Sequence, residues 1–278
     1  MIFSKNRKDG NYIKEKDPMH AIMPYLFDKR TESEVYIKET LDITKVMKWI
    51  EKQNKKLDYK MTFFHVFNAV LVKTVYNRPH LNRFIQGHRI YERNKITTSF
   101  VAKNKMVDNA KDMMVVMEAK NDENAIELSK RMVVDIFKTK KEGSNDLNNF
   151  INKFLLLPRW VLRIVVRIFK WLDYHGWLPE SFTKTDSNHA TILLSNLGSI
   201  KCDSCYHHLN NFGTNSIMIT IGTIKEVDGK YFVDISATLD ERVAPGFYFA
   251  KSLKLVQYIL DNPKLLEDRL DEKINFEF

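Results

Sequence analysis

Two long segments that alternate apolar and polar residues, Asn215 to Glu226 and Lys230 to Leu239, are separated by Asp228-Gly229. This dipeptide constrains the fold more than any other feature of the chain. Asp-Gly accepts the positive φ angles of a two-residue hairpin, so the segments are expected to pair antiparallel in a fixed register. Other elements must be arranged around that ribbon. Thr191 to Leu194 reads as a short buried strand, Val35 to Ile43 as another, and Met113 to Met117 as a third. Phe84 to Tyr91 and Lys95 to Lys103 read as a strand pair. Lys45 to about Lys56 is expected to be helical, with Asp42 or Thr44 as its cap. In Met61 to Asn77, Phe63, Phe67, Val70 and Leu71 recur at helical spacing, and Pro79 stops the run. Asn124 to Lys140 is a charged amphipathic helix, and Phe247 to Leu260 is a last helix before Asn262-Pro263. Helices and strands alternate without a strict βαβ rhythm. The expected class is an α/β (α+β) two-layer sandwich, a mixed sheet with helices packed on it.

A chain of 278 residues with 44% hydrophobic content can bury a large core as one domain. Residues 1–20 read as a polar basic arm, and 21–278 as the domain itself. The first residues turn polar and basic (Lys5, Arg7, Lys8) with no apolar stretch behind them, and no run of 18 uncharged apolar residues occurs anywhere. A cytoplasmic location, with or without peripheral contact to a membrane, is expected. The net charge of +9 favours anionic partners, either acidic lipid headgroups or a phosphorylated cofactor; no nucleic-acid motif accompanies it.

One stretch departs from the sandwich pattern, a helical insertion at about 145–188. Within it Arg159, Arg163, Arg167 and Lys170 fall at spacings of 4, 4 and 3, a single narrow basic stripe on a helix whose remaining surface is bulky and apolar. Trp160, Trp171 and Trp177 accompany the stripe. Two placements are open: a helix lying in a membrane interface, or one buried against the sheet or a neighbouring subunit with the basic stripe wet. A lid over a channel mouth fits either.

Ser195-Asn196-Leu197-Gly198 and, further on, Asp240-Glu241-Arg242-Val243-Ala244-Pro245-Gly246 resemble the paired signatures of the chloramphenicol acetyltransferase and dihydrolipoyl acyltransferase catalytic-domain superfamily. Lys29-Arg30-Thr31-Glu32-Ser33 is similar to the Arg-Leu-Thr-Glu-Ser segment that opens the dihydrolipoyl domain. Leu41-Asp42-Ile43-Thr44, Asn77-Arg78-Pro79 and Asn262-Pro263-Lys264-Leu265-Leu266 follow in family order. The resemblance implies a homotrimer in which a coenzyme A thioester and an acceptor enter opposite ends of a channel between subunits. It also implies that Ser195 supplies a hydrogen bond to the oxyanion. The family's motif reads Asp-His-Arg-x-x-Asp-Gly, so Glu241 stands in the position of the catalytic His and Pro245 in that of the later Asp. In the family that carboxylate pairs with an N-terminal Arg, which leaves Arg30 without its expected partner. No lipoyl module is expected in this chain, and no metal.

Acyl transfer from a thioester needs a base for the acceptor and a donor for the tetrahedral oxyanion. A carboxylate's reference proton affinity lies about 2 pKa units below imidazole's, roughly 3 kcal/mol of driving force. Glu241 therefore has two readings, a catalytic base in a desolvating channel or a structural ion pair with the adjacent Arg242. His207 and His208 are the alternative base. Ser195 is either the oxyanion donor or a residue that tightens its turn. His189 is expected at a strand end. Cys202-x-x-Cys205 with the two histidines beyond it is an incomplete zinc pattern. Two functions remain from different classes: a CoA-dependent acyltransferase acting on a hydroxyl, amine or thiol, and a pseudoenzyme that keeps the assembly as a binding or membrane scaffold.

Overall fold

The computed structural model describes residues 5–103, 112–142 and 154–277. The start of the expected insertion, 145–153, lies outside the described residues. A six-stranded mixed sheet is formed by β2 (Glu34–Asp42), β5 (Thr97–Lys103), β6 (Asp112–Glu118), β7 (Ile192–Asn196), β8 (Ile217–Val227) and β9 (Lys230–Asp240). Its spatial order is β2-β9-β8-β7-β5-β6, with β7 parallel to both neighbours and the remaining pairs antiparallel. The β8–β9 ribbon is the expected hairpin: Val227 pairs with Lys230, and both Asp228 and Gly229 have positive φ. On one face of the sheet lie α2 (Thr44–Asn54), α3 (Phe63–Asn77), α4 (Ala125–Glu142) and α7 (Gly246–Asp261). The two layers bury Val233, Ile235, Ala237 and Leu239 of β9 against the helices. α3 is covered along almost its whole length, and Pro79 follows its end. This is the two-layer sandwich read from the sequence.

Residues 83–93 depart from that reading. The single strand expected at Phe84 to Tyr91 is a hairpin of its own, β3 (Arg83–Gln86) and β4 (Arg89–Arg93), turned at Gly87 and His88, both at positive φ. β5 then joins the main sheet instead of pairing with this segment. The basic arm is docked too. β1 (Gly10–Ile13) pairs antiparallel with β4, completing a three-stranded sheet, and Pro18–Leu26 forms α1 behind the Asp17 cap.

Inside the insertion, α5 (Arg159–Tyr174) is followed by the short α6 (Glu180–Thr183). α5 lies on the surface: of its residues only Asp173 is fully buried. The Ser195 turn is held down by close backbone approach. A Cβ on Gly198 would stand 2.4 Å from the Gly222 carbonyl oxygen of β8. Gly198→Ala is therefore expected to cost about 1–3 kcal/mol, since neither backbone can yield without breaking the ladder. Urea denaturation checks this; an unchanged midpoint contradicts the packing described.

Candidate active-site end of the sheet

Alternation along β7, β8 and β9 decides what the free sheet face carries. Ile192, Leu194, Ile219 and Ile235 point into the helix layer, so Ser195, Thr220 and Ser236 point the other way, side by side in register. The coil after Ser195 crosses this face. Ser204 shares a hydrogen bond with Ser236 (2.9 Å), the Cys205 amide donates to the Thr220 hydroxyl (3.1 Å), and Tyr206 meets Tyr36 of β2 edge-on. The Leu209 amide then donates to Glu34 at 2.6 Å. Polar side chains on the sheet thus serve as partners for a passing backbone. Ser195 itself remains half-buried beside that crossing.

His207 and His208 lie between the Tyr206 and Leu209 anchors, near the start of β2. They are exposed, stacked on each other at 4.7 Å, and the His207 ring hydrogen-bonds the His208 carbonyl oxygen (2.9 Å). Because Glu34 pairs with Asp240, this is the end of the sheet at which Glu241 sits. Glu241 follows β9 in a 3₁₀ turn, half-buried, its amide donating to the Ser33 carbonyl oxygen (2.9 Å).

The pairing of Glu241 with Arg242, one of its two readings, is not formed. Arg242 instead grips Asp240 with two parallel hydrogen bonds of 2.8 and 2.7 Å, and its remaining nitrogen donates to the Phe27 carbonyl oxygen (2.7 Å). Ser33 donates a further bond to Asp240 (3.0 Å), and the whole group is buried. Spacing explains the choice: the side chains of Asp240 and Arg242, two apart across a tight turn, meet on one side while Glu241 points away. Sequence reasoning passed over Asp240, although Asp-x-Arg at a strand end was its signal.

Arg30 is not left alone. It donates to the carbonyl oxygens of Ile85 (2.8 Å) and Asn211 (3.4 Å), while its Nε is buried without a partner. Burial pushes its pKa down to about 10 against the opposing pull of Asp240. A cavity of roughly 310 Å³ opens beside it, lined among others by Arg30, His88, Lys170, Asp173, Asn211 and Arg242. Cationic groups outnumber carboxylates on these walls, which suits an anionic ligand group.

The strongest electrostatic feature went unread in the sequence. His189, expected at a strand end, lies in a 3₁₀ turn before β7, buried, with Nδ1 2.7 Å from Asp186 and Nε2 3.0 Å from Asp173. Burial opposes protonation of this ring, but the hydrogen bonds and charges of the two carboxylates outweigh it and raise the pKa. A ring whose two nitrogens both donate has no lone pair to accept a proton, so His189 is a brace and not a base. Asp173 also accepts from Gln86 (2.9 Å) and the Gly213 amide (3.2 Å), and Arg7 of the arm donates to its backbone carbonyl oxygen (2.7 Å). One carboxylate thus ties α5 to the hairpin, the arm and the coil. These partners are scattered from residue 7 to residue 213, so no local pattern announces them.

The two cysteines are free and exposed, and among the described residues no group of three or more His, Cys, Asp or Glu is arranged to hold a metal ion. No described helix is long and apolar enough to cross a membrane.

No protein-family model matches the chain, and no curated protein matches its sequence. Solved structures do match its fold. Dihydrolipoamide acetyltransferase of Azotobacter vinelandii superimposes with a TM-score of 0.60 at 14% identity, over 92% of this chain and 94% of the other. A probable dihydrolipoamide acetyltransferase of Listeria monocytogenes gives 0.57 at 12%, over 90% and 95%. A chloramphenicol acetyltransferase gives 0.56 at 13%, over 90% and 99%. The chain has the chloramphenicol acetyltransferase-like fold, shared with the catalytic domain of the dihydrolipoamide acetyltransferases.

Asp173→Asn leaves the buried His189 with Asp186 as its one carboxylate partner and Arg7 with Asp9 alone, and is expected to cost about 3 kcal/mol. Chemical denaturation checks the loss, and faster proteolysis at α5 checks its release. Burial holds the imidazoles of His65 and His80 neutral, pushed down to about 4, so stability falls as pH drops from about 6.5 toward 4. The raised pKa of His189 acts oppositely. Its contribution is full below about 6.5 and fades as pH rises past the folded value. Denaturation midpoints across pH should peak near neutrality; a flat profile contradicts both assignments.

Proposed function

We propose that this protein is a CoA-dependent acyltransferase whose reacting centre is assembled between copies of the chain. One observation carries the reading: the acyltransferase fold is present end to end, with Ser195 and Glu241 both half-buried and free of the ion pairs that brace the rest of the site. In the Azotobacter enzyme a serine, a histidine and an asparagine have been investigated for their roles in the catalytic mechanism, the last two spaced as Glu241 and Pro245 are here.

The acyl donor is a CoA thioester and the acceptor a hydroxyl, amine or thiol. Glu241 takes the acceptor's proton as the acceptor attacks the thioester carbonyl. The resulting oxyanion accepts a hydrogen bond from the Ser195 hydroxyl. Collapse expels the CoA thiolate, which recovers the proton from the Glu241 carboxyl, leaving acylated acceptor and free CoA. The cationic cavity at Arg30 accords with an anionic reactant.

Ser195 and Glu241 of one chain do not share a centre. Ser195, Thr220 and Ser236 are in register, and Glu241 lies five residues beyond Ser236 along β9. That offset and two strand spacings separate them by on the order of 15–20 Å. A second copy must supply one of the two, and a homotrimer closes such a head-to-tail contact. Arg30 and the Asp240–Arg242 pair position the Glu241 turn; His207 and His208 lie at the same end of the sheet and are the alternative base.

Glu241→Gln is expected to lower kcat by at least 100-fold with folding and assembly intact, and Ser195→Ala by about 100–1,000-fold. Mixing the two inactive variants before reassembly should restore part of the activity, because some interfaces then pair an intact Ser195 with an intact Glu241. Full activity in Glu241→Gln removes it as the base and turns the assignment to His208. Inactivity of the unmutated protein toward every acyl-CoA supports instead a scaffold built on the same fold, a reading that the Glu at the histidine position favours.

A further inference from the structure

We propose that α5 docks the protein on an anionic membrane surface. The helix has three faces. Stepping 100° per residue puts Trp160, Ile164, Ile168 and Trp171 within an arc of about 80°. Arg159, Arg163, Arg167 and Lys170 fill a second arc of about 80° that borders the first at Arg167. Leu162, Val165, Phe169 and Leu172 are half-buried on the inner side with the fully buried Asp173. The apolar arc is open to solvent, with Trp160 68% and Trp171 53% exposed. Leu155 and Leu156, just ahead of the helix, are exposed as well, and Trp177, packed edge-on against Trp171 at 5.1 Å, extends the arc behind. Three of the chain's four tryptophans are therefore gathered at one exposed helix.

Charge decides what covers this strip. Among the described residues none of the four basic side chains has an ion pair or hydrogen-bonded acid. The only carboxylate on the helix, Asp173, is buried and engaged with His189, Gln86 and Gly213. A two-fold contact between copies, helix on helix, would set its cations against a helix that offers no free acid of its own. An anionic bilayer supplies both halves at once: headgroups for the Arg and Lys arc, and the acyl boundary for the Trp and Ile arc. A helix of this kind lies in the plane of the interface, its apolar side about 5–10 Å deep. Asp173 fixes α5 to the domain, so docking orients the whole sandwich. Lys170 and Tyr174 on the same helix line the Arg30 cavity, which is thereby held next to the surface.

The full-length protein is mixed with phosphatidylcholine vesicles, with and without phosphatidylserine, and partitioning is read by co-sedimentation and tryptophan emission. The expected result is binding to the phosphatidylserine vesicles, weakened by added salt, with blue-shifted emission quenched by brominated lipid. Arg163→Gln/Arg167→Gln should lower partitioning by roughly 30-fold. Trp160→Ser/Trp171→Ser, a change at exposed positions that leaves the thermal transition in place, should abolish it. No binding at low salt overturns the proposal, as does binding that neither double variant changes. It is also overturned if Trp160→Ser/Trp171→Ser breaks a vesicle-free oligomer into smaller species by light scattering, since the strip is then an interface between copies. Binding by a protein inactive toward acyl-CoA leaves this inference standing and removes only the proposed reaction.

Discussion

The buried carboxylate of Asp173 is the interaction on which the outer architecture depends. Taking it out of water is affordable only because His189, Gln86 and the Gly213 amide surround its oxygens, with Arg7 close by. Each of those partners belongs to a different piece of the chain: the turn before β7, the β3–β4 hairpin, the coil before β8 and the N-terminal arm. Elsewhere α5 contributes half-buried apolar contacts, Phe169 against Phe154 and Phe182 among them. A single charged residue therefore sets where a peripheral helix sits, and that helix in turn forms one wall of the Arg30 cavity.

A second buried pair, Asp240 with Arg242, does the same for the turn that carries Glu241. Both groups are fully desolvated and doubly hydrogen-bonded, so the turn that carries Glu241 is rigid while Glu241 itself stays outside the pair. The neighbouring guanidinium is already committed to Asp240 and forms no ion pair with Glu241. The division of labour is physical: Asp240 and Arg242 hold the turn, and the proposed reaction falls to Glu241, which stays outside the pair.

How far the sequence disclosed this depends on how local the cause is. Asp228-Gly229 announces its hairpin because two adjacent residues tolerate positive φ, and Pro79 announces the end of α3 because it cannot donate. The Gly87-His88 turn was missed, since His accepts positive φ less readily than Asp or Asn and the flanking residues continue a strand pattern. Ser195 and Glu241 were legible as motif positions, yet their separation across the sheet was not, because it depends on the register of three strands. The His189 cluster was illegible: its members are brought together only by the folded chain. The same holds for Arg242, whose partner is Asp240 and not the Glu241 beside it.

The central claim is that this fold still binds an acyl-CoA donor. Calorimetric titration of the purified protein with CoA and a series of acyl-CoA thioesters tests it directly. The account predicts saturable binding that varies with acyl length and weakens with salt, as an anionic donor at a cationic site requires. No detectable heat at millimolar ligand would contradict it and leave the acyltransferase fold serving as a scaffold.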